Sequence, residues 1–143
     1  GFPIDWKSVP VFTEVEEPGL LAYFSLLKKS LELESREINS DDRRKRHLAA
    51  VFVNNFTNAM LQAAEETLSG FTKEEITEAL LPIAVQTVSR WEIAKASKLQ
   101  TGPAVRNDEQ TILKHLDDLT DFPLEKELYQ SVTNYITQKT QQK

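Results

Sequence analysis

The alternation of apolar and polar positions divides the chain into a short β-rich start followed by helices. Ser8 to Val15, SVPVFTEV, is apolar and β-rich and predicts a strand, with Pro10 at its start or on an edge. Pro18 suits the first turn of a helix running to about Leu33. That helix carries Leu20, Leu21, Phe24, Leu27 and Leu31 on one broad apolar face. Ser35 to Ile38 predicts a second strand. A β-α-β piece of about 38 residues is too small to hold a core by itself.

The stretch Ser40 to Leu61, SDDRRKRHLAAVFVNNFTNAML, organises the rest of the chain. Asn39 or Ser40 supplies a helix cap, and no breaker occurs before Gly70, so the pattern predicts one helix of about 29 residues, roughly 43 Å long. At about 100° per residue, His47, Val51, Asn54 and Asn58 share a narrow sector with Asn55 at its edge. The other directions are almost all apolar, which predicts a helix sequestered from water that carries a polar stripe into the structure. The stripe has two readings. In one, the asparagines bond to neighbouring backbone and His47 is a satisfied interior histidine; in the other, the stripe lines a ligand pocket. The pattern alone favours the first, since most buried polar groups are structural.

Beyond Gly70, Thr72-Lys73-Glu74-Glu75 forms a capping box that opens the next helix. Pro82 predicts a kink or break at Leu80–Leu81, after which Ile83, Val85, Val88, Trp91 and Ile93 carry the pattern to about Leu99. Gln100 to Asp108, QTGPAVRND, reads as a loop. Asp108 caps a helix from Glu109 to about Leu119 that bears Ile112, Leu113, Leu116 and His115. A last helix runs from Leu124 to about Thr137, followed by a frayed polar tail. The whole is a mainly α chain.

The length of 143 residues fits one domain, or a domain plus a fragment. Four glycines and six prolines argue for few tight turns and long helices. The net charge is −5 and the acids are spread out, while Arg43 to Arg46 is the only basic cluster. Four consecutive bases on a helix do not share a face, so they make a poor phosphate track, and nucleic-acid binding is not expected. They read instead as a solvated helix start, or as charges reaching toward an anionic ligand. The absence of cysteine removes disulfides, thiolate metal sites and cysteine nucleophiles, and is compatible with a cytoplasmic protein. No signal peptide or bilayer-length apolar run is present, so no membrane partner is expected. The start at Gly-Phe-Pro reads like mid-sequence, which points to a piece of a longer protein.

His47 and His115 are the only side chains that titrate near neutrality. No metal-ligand spacing links them. No serine stands in a nucleophile elbow, and no glycine-rich phosphate loop occurs, so the chain lacks the usual means of holding a dinucleotide. The loop TGPAVRND is the second informative stretch. Gly102 allows close backbone approach, and Arg106 offers a bidentate grip on a carboxylate or phosphate. The structural reading, a helix connector with Arg106 paired to Asp108 or another acid, has the better odds from the residues alone. The same holds for His115 as a packing histidine with a backbone partner.

Taken together, RHLAAVFVNNFTNAM and TGPAVRNDEQTILKHL resemble the C-terminal domain of Rossmann-like/DUF2520 proteins. These are taken as NAD(P)-dependent oxidoreductases, similar to pyrroline-5-carboxylate reductase and more distantly to ketopantoate and 6-phosphogluconate dehydrogenases. The resemblance runs from about Trp6 to Tyr135, and DWKSVPVFTE looks like the end of the nucleotide-binding domain. His47, Asn55, Thr101, Gly102, Pro103, Arg106, Asp108 and His115 match recurrent positions. Asn54 stands where a small residue is more usual, and Ala59 where many relatives have histidine.

The resemblance implies a helical dimerisation domain of the 6-phosphogluconate dehydrogenase C-terminal-like type at residues 40–143, preceded by a β-α-β remnant of the nucleotide-binding domain at residues 1–39. It also implies a homodimer and a small-molecule substrate, with NADP or NAD held by the full-length protein and no cofactor or catalysis in this fragment. His47 and Asn55 would face the cleft, His47 as proton donor and Asn55 as orienter. Thr101, Gly102, Arg106 and Asp108 would form a substrate-binding or structural loop, mainly the latter. The rival reading from another class is a non-enzymatic helical interaction module.

Overall fold

A computed structural model describes residues 9–142. The chain is mainly α, with a short β-α-β start. Its packing forms two compact units, one ending at Asn58 and the other beginning at Ala59.

In the first unit, strand β1 (Val11–Thr13) pairs in parallel with β2 (Ser35–Glu37), Val11 opposite Ser35 and Thr13 opposite Glu37. Helix α1 (Pro18–Ser30) makes the crossover, with Pro18 in its first turn and Lys28 and Lys29 in its last. Both strands and the helix are shorter than the pattern predicts, and Ser8, the predicted strand start, lies outside the described residues. Helix α2 (Ser40–Val51) is capped by Asn39, whose side chain accepts the Asp42 N–H at 2.8 Å. Asp41 and Asp42 add negative charge where the helix dipole is positive.

The long helix is present but not uniform. After α2 the backbone passes through a π turn, Phe52–Phe56, before α3 (Thr57–Thr67). Asparagine is a weak helix former, so the Asn54-Asn55 pair lowers the cost of the distortion. Within the turn the rings of Phe52 and Phe56 meet edge to face, their centroids 4.9 Å apart.

Burial departs from the expectation. From Arg43 to Gln62 every residue except Val51 is exposed in the single chain, His47 and Asn55 included. The expected helix shielded from water is therefore not what this chain makes alone. The reason is supply. Among the described residues only Thr13 and Ala104 are buried, at 8% and 5% exposure, and the β-α-β piece is too small to cover an all-round apolar helix. The chain exposes 12146 Å². A globular chain of this length exposes about 7,500 Å², and two separate globular units of these sizes about 9,000 Å².

In the second unit, α4 (Lys73–Arg90) opens with the capping box: Thr72 accepts the Glu75 N–H, and the Glu75 carboxylate accepts the Thr72 N–H at 2.8 Å. Pro82 does not break this helix. Proline removes one N–H bond, to the Glu78 carbonyl, and Glu78 is exposed, so water can serve that oxygen. The helix does end earlier than predicted. Trp91 and Ile93 donate to Val88 and Arg90, tightening the last turn, and only the short turn α5 (Ala96–Leu99) follows. Lys73 pairs with Glu65 of α3 at 3.5 Å. The predicted loop contains one helical turn, α6 (Pro103–Arg106), which packs on α7 (Glu109–Asp118) and α8 (Pro123–Gln141). Ala104 is buried at that crossing, where a small side chain permits close approach. Helix α8 absorbs most of the tail expected to fray, because lysine and glutamine are good helix formers and Lys139 complements the C-terminal dipole.

Candidate functional site

The basic run at the start of α2 is mostly engaged within the first unit. Arg43 Nε donates to Glu14 at 2.8 Å, and Ser40 bonds the same carboxylate. Arg44 pairs with Asp41, and the Arg46 guanidinium lies 4.6 Å from the centre of the Phe12 ring. The Ser40 and Arg43 bonds hold the Glu14 carboxyl below the usual glutamate range. These contacts tie the end of β1 to the helix, which favours the helix-start reading over an anion site.

Downstream, His47 and Asn55 both project into solvent. In an unbroken α-helix they would point about 80° apart. A π turn takes one more residue per turn, so it holds back the side chains beyond it by up to about 100°. Asn55 is thereby brought roughly into line with His47, while Asn54 and Asn58 are turned away. The stripe predicted on uniform periodicity is thus redistributed, and the pair that shares a direction is His47 with Asn55. Along the axis they stand about 12 Å apart, so one reacting atom cannot touch both.

The TGPAVR segment is held by its own backbone. Gly102 adopts φ 108° and ψ 179°, and a Cβ there would meet nothing within 4 Å. The cost of a side chain at that position is purely conformational. Gly102→Ala should destabilise the protein by about 1–3 kcal/mol, read as a lower denaturant midpoint with an unchanged slope. Asn107 takes the left-handed conformation at φ 52° and ends α6.

Asp108 then caps α7, accepting the Thr111 hydroxyl at 2.8 Å and the Thr111 N–H at 3.1 Å. Those bonds, with the nearby charges of Arg106 and His115, hold its carboxyl below the usual aspartate range. A depressed folded pKa contributes stability above the unfolded value that is lost as pH falls through the folded one. The melting-temperature advantage of wild type over Asp108→Asn, positive at neutral pH, should therefore shrink from about pH 4 downward; calorimetry across pH checks this. Arg106 Nη2 lies 4.0 Å from Asp108 Oδ2 and remains largely in solvent, so the loop is mainly a helix junction, with one cation left accessible.

His115 does not take the expected backbone partner. Its Nδ1 lies 2.9 Å from the Tyr129 hydroxyl of α8, the two rings edge to face at 5.6 Å. Tyr129 was not legible as its partner, because fourteen residues and a helix turn separate the two. Tyr129 also lines a cavity of about 310 Å³ that takes in Thr101, Pro103 and Ala104. Thr101 is the one predicted site residue on this cavity, and it lies in the second unit with Gly102, Arg106 and Asp108, whereas His47 and Asn55 belong to the first.

Among the described residues no group of three or more acids and histidines could hold a metal ion, and no helix is long and apolar enough to cross a membrane. The β1–α1 connection reads Glu14-Val15-Glu16-Glu17. Three acids and no glycine stand where a dinucleotide pyrophosphate would need N–H donors and a helix N-terminus. This connection does not fit that group.

The sequence model of DUF2520, a domain of unknown function, matches residues 9–136. The chain belongs to the DUF2520 family. Among solved structures it is similar to BF3122 of Bacteroides fragilis, described as a "putative NADP oxidoreductase", at 32% identity and a TM-score of 0.83 over 94% of this chain and 51% of that one. It also shares its fold with protein TM1727 of Thermotoga maritima, at 20% identity and a TM-score of 0.70 over 96% of this chain and 55% of that one. The DUF2520 chain therefore spans about half the length of these proteins. No curated protein matches it.

Proposed function

We propose that this DUF2520 chain is the C-terminal substrate and dimerisation domain of an NAD(P)-dependent oxidoreductase of the cytoplasm that acts on a small metabolite. NADP is the preferred dinucleotide in this reading. Residues 1–39 would close a nucleotide-binding domain and residues 40–143 would form the helical domain. The likeness to BF3122 of Bacteroides fragilis, over nearly the whole of this chain and half of that one, together with that protein's description, is the observation that carries the reading. The acidic β1–α1 connection is consistent with it, since the cofactor phosphates must then be held elsewhere in a longer protein.

In this reading the chain supplies recognition and a proton. Reduction of a carbonyl or imine calls for a proton at its heteroatom, which His47 donates, while Asn55 bonds a second point of the ligand about two helical turns away. The exposed apolar length of the helix supports a second copy as its cover. The excess accessible area of roughly 3,000 Å² or more leaves ample room for an obligate interface, which buries about 2,000–5,000 Å² in total.

The test is a fluorescence titration of NADPH against the full-length protein, followed by a metabolite screen for reduction. Saturable binding by the full-length protein and none by residues 1–143 alone is the expected result. A full-length protein that binds neither dinucleotide, with no glycine-rich strand–helix turn encoded upstream of Gly1, would leave the interaction-module reading in its place.

A further inference from the structure

Among the described residues the sheet of the first unit has two strands of three residues each, and they are unlike. β1 reads Val-Phe-Thr and buries Thr13, whereas β2 reads Ser-Arg-Glu and leaves Arg36 and Glu37 exposed. Strands inside a parallel sheet are covered on both faces and are apolar, while charged side chains are typical of an outer edge. Hydrogen-bond parity shows what β1 has left over. The Val11 N–H donates to the Glu34 carbonyl at 3.1 Å, and the Ile38 N–H to the Thr13 carbonyl at 3.0 Å. Residues 11 and 13 therefore face β2, and Phe12 turns its own N–H and C=O to the opposite edge. Pro10, which has no N–H, shares that edge at the start of the strand, where proline is tolerated. By the same parity Ser35 and Glu37 turn their groups away from β1, toward the far side of β2.

Helix α1 is also too wide for this sheet. Two strands about 4.8 Å apart are narrower than a helix about 10 Å across. Leu20, Leu21 and Leu27, on its broad apolar face, stay 46%, 41% and 38% exposed. One more strand would bring the sheet to about the width of the helix.

We propose that the free edge of β1 receives a strand encoded before Gly1, and that β2 is the outer edge of the completed sheet. This rests on the reading that the chain is the C-terminal part of a longer protein. BF3122 and TM1727, of which it covers 51% and 55%, each have about as much chain again to supply such a strand. The incoming strand bonds the N–H and C=O of Phe12, and its side chains on the α1 side are apolar, to meet the leucines. The contact requires neither His47, Asn55 nor a bound dinucleotide.

Site-resolved amide hydrogen exchange on the ¹⁵N-labelled full-length protein is the test. Relative to their unstructured rates, Phe12 should exchange at least about a hundredfold more slowly than Ser35 and Glu37. In residues 1–143 alone Phe12 should exchange about as fast as those two. A Phe12 amide as fast as Ser35 and Glu37 in the full-length protein would overturn the proposal. So would slow exchange at Ser35 and Glu37, which would put the added strand beyond β2. Equal protection of Phe12 in residues 1–143 alone would make a second copy the occupant and overturn it as well. NADPH is titrated into the same full-length sample. Protected Phe12 without NADPH binding would keep the strand assignment and remove the redox reading, whereas binding with Phe12 unprotected would do the reverse.

Discussion

Replacing Phe52 and Phe56 together by aspartate should convert a dimer to a monomer while leaving the helices intact. Leu48, Phe52 and Phe56 form an apolar row two turns long, 60%, 61% and 47% exposed in the single chain. Full burial of a large apolar side chain is worth about 1.5–3 kcal/mol, and these side chains are already about half covered, so each contributes roughly half of that. A two-fold interface uses every residue twice. Two positions in two copies then amount to roughly 3–6 kcal/mol, or a 10²- to 10⁴-fold weaker dimer, before the cost of desolvating the new carboxylates. Because neither phenylalanine is buried in the single chain, circular dichroism should change little. Sedimentation velocity at micromolar concentration is the measurement. A wild-type chain that sediments as a monomer, or a doubly substituted chain that remains a dimer, would remove the dimer seam from this face.

The local signals that could be read from the sequence were those with short-range physics. The Thr72–Glu75 capping box, the Asp108 cap and the β-α-β order each depend on a few adjacent residues and are found where the pattern puts them, and of the two caps offered for the long helix, Asn39 and Ser40, it is Asn39 that serves. The family resemblance carried by RHLAAVFVNNFTNAM and TGPAVRNDEQTILKHL also holds. Three features were not legible. The π turn is invisible to uniform 100° periodicity, and it changes which asparagine shares a direction with His47. The survival of α4 through Pro82 depends on Glu78 being in water, a tertiary fact. The exposure of residues 43–62 reflects how little apolar surface the rest of the chain can bring to them; an apolar pattern states what a helix requires and not whether its own chain provides it. The candidate cavity obeys the same rule. Its lining draws on residues as far apart as Met60 and Ile136, a separation no local pattern spans.

That distinction between requirement and supply shapes the last expected result, the loss of turnover in the full-length protein when His47 is removed. Donation of a proton by a positioned side chain contributes about 10²- to 10⁴-fold to rate, so His47→Ala should lower kcat by that order with little change in KM. Asn55 stands about 12 Å along the helix, too far to share the reacting atom, and a neutral hydrogen bond contributes about 0.5–1.5 kcal/mol net. Asn55→Ala should therefore raise KM by up to about tenfold and move kcat less. Loss of folded enzyme would also lower the apparent kcat at unchanged KM, so rates are referred to the folded fraction, and a rise in KM at Asn55 cannot come from that source. Both side chains are exposed in the single chain, and surface substitutions usually stay within about 0.5 kcal/mol of neutral, so melting temperatures should hold. Asn54→Ala, turned off the shared direction by the π turn, is the matched comparison and should leave both parameters near wild type. If His47→Ala and Asn55→Ala turn over substrate as the wild type does, the aligned pair serves packing against a partner and the proton comes from elsewhere in the longer protein.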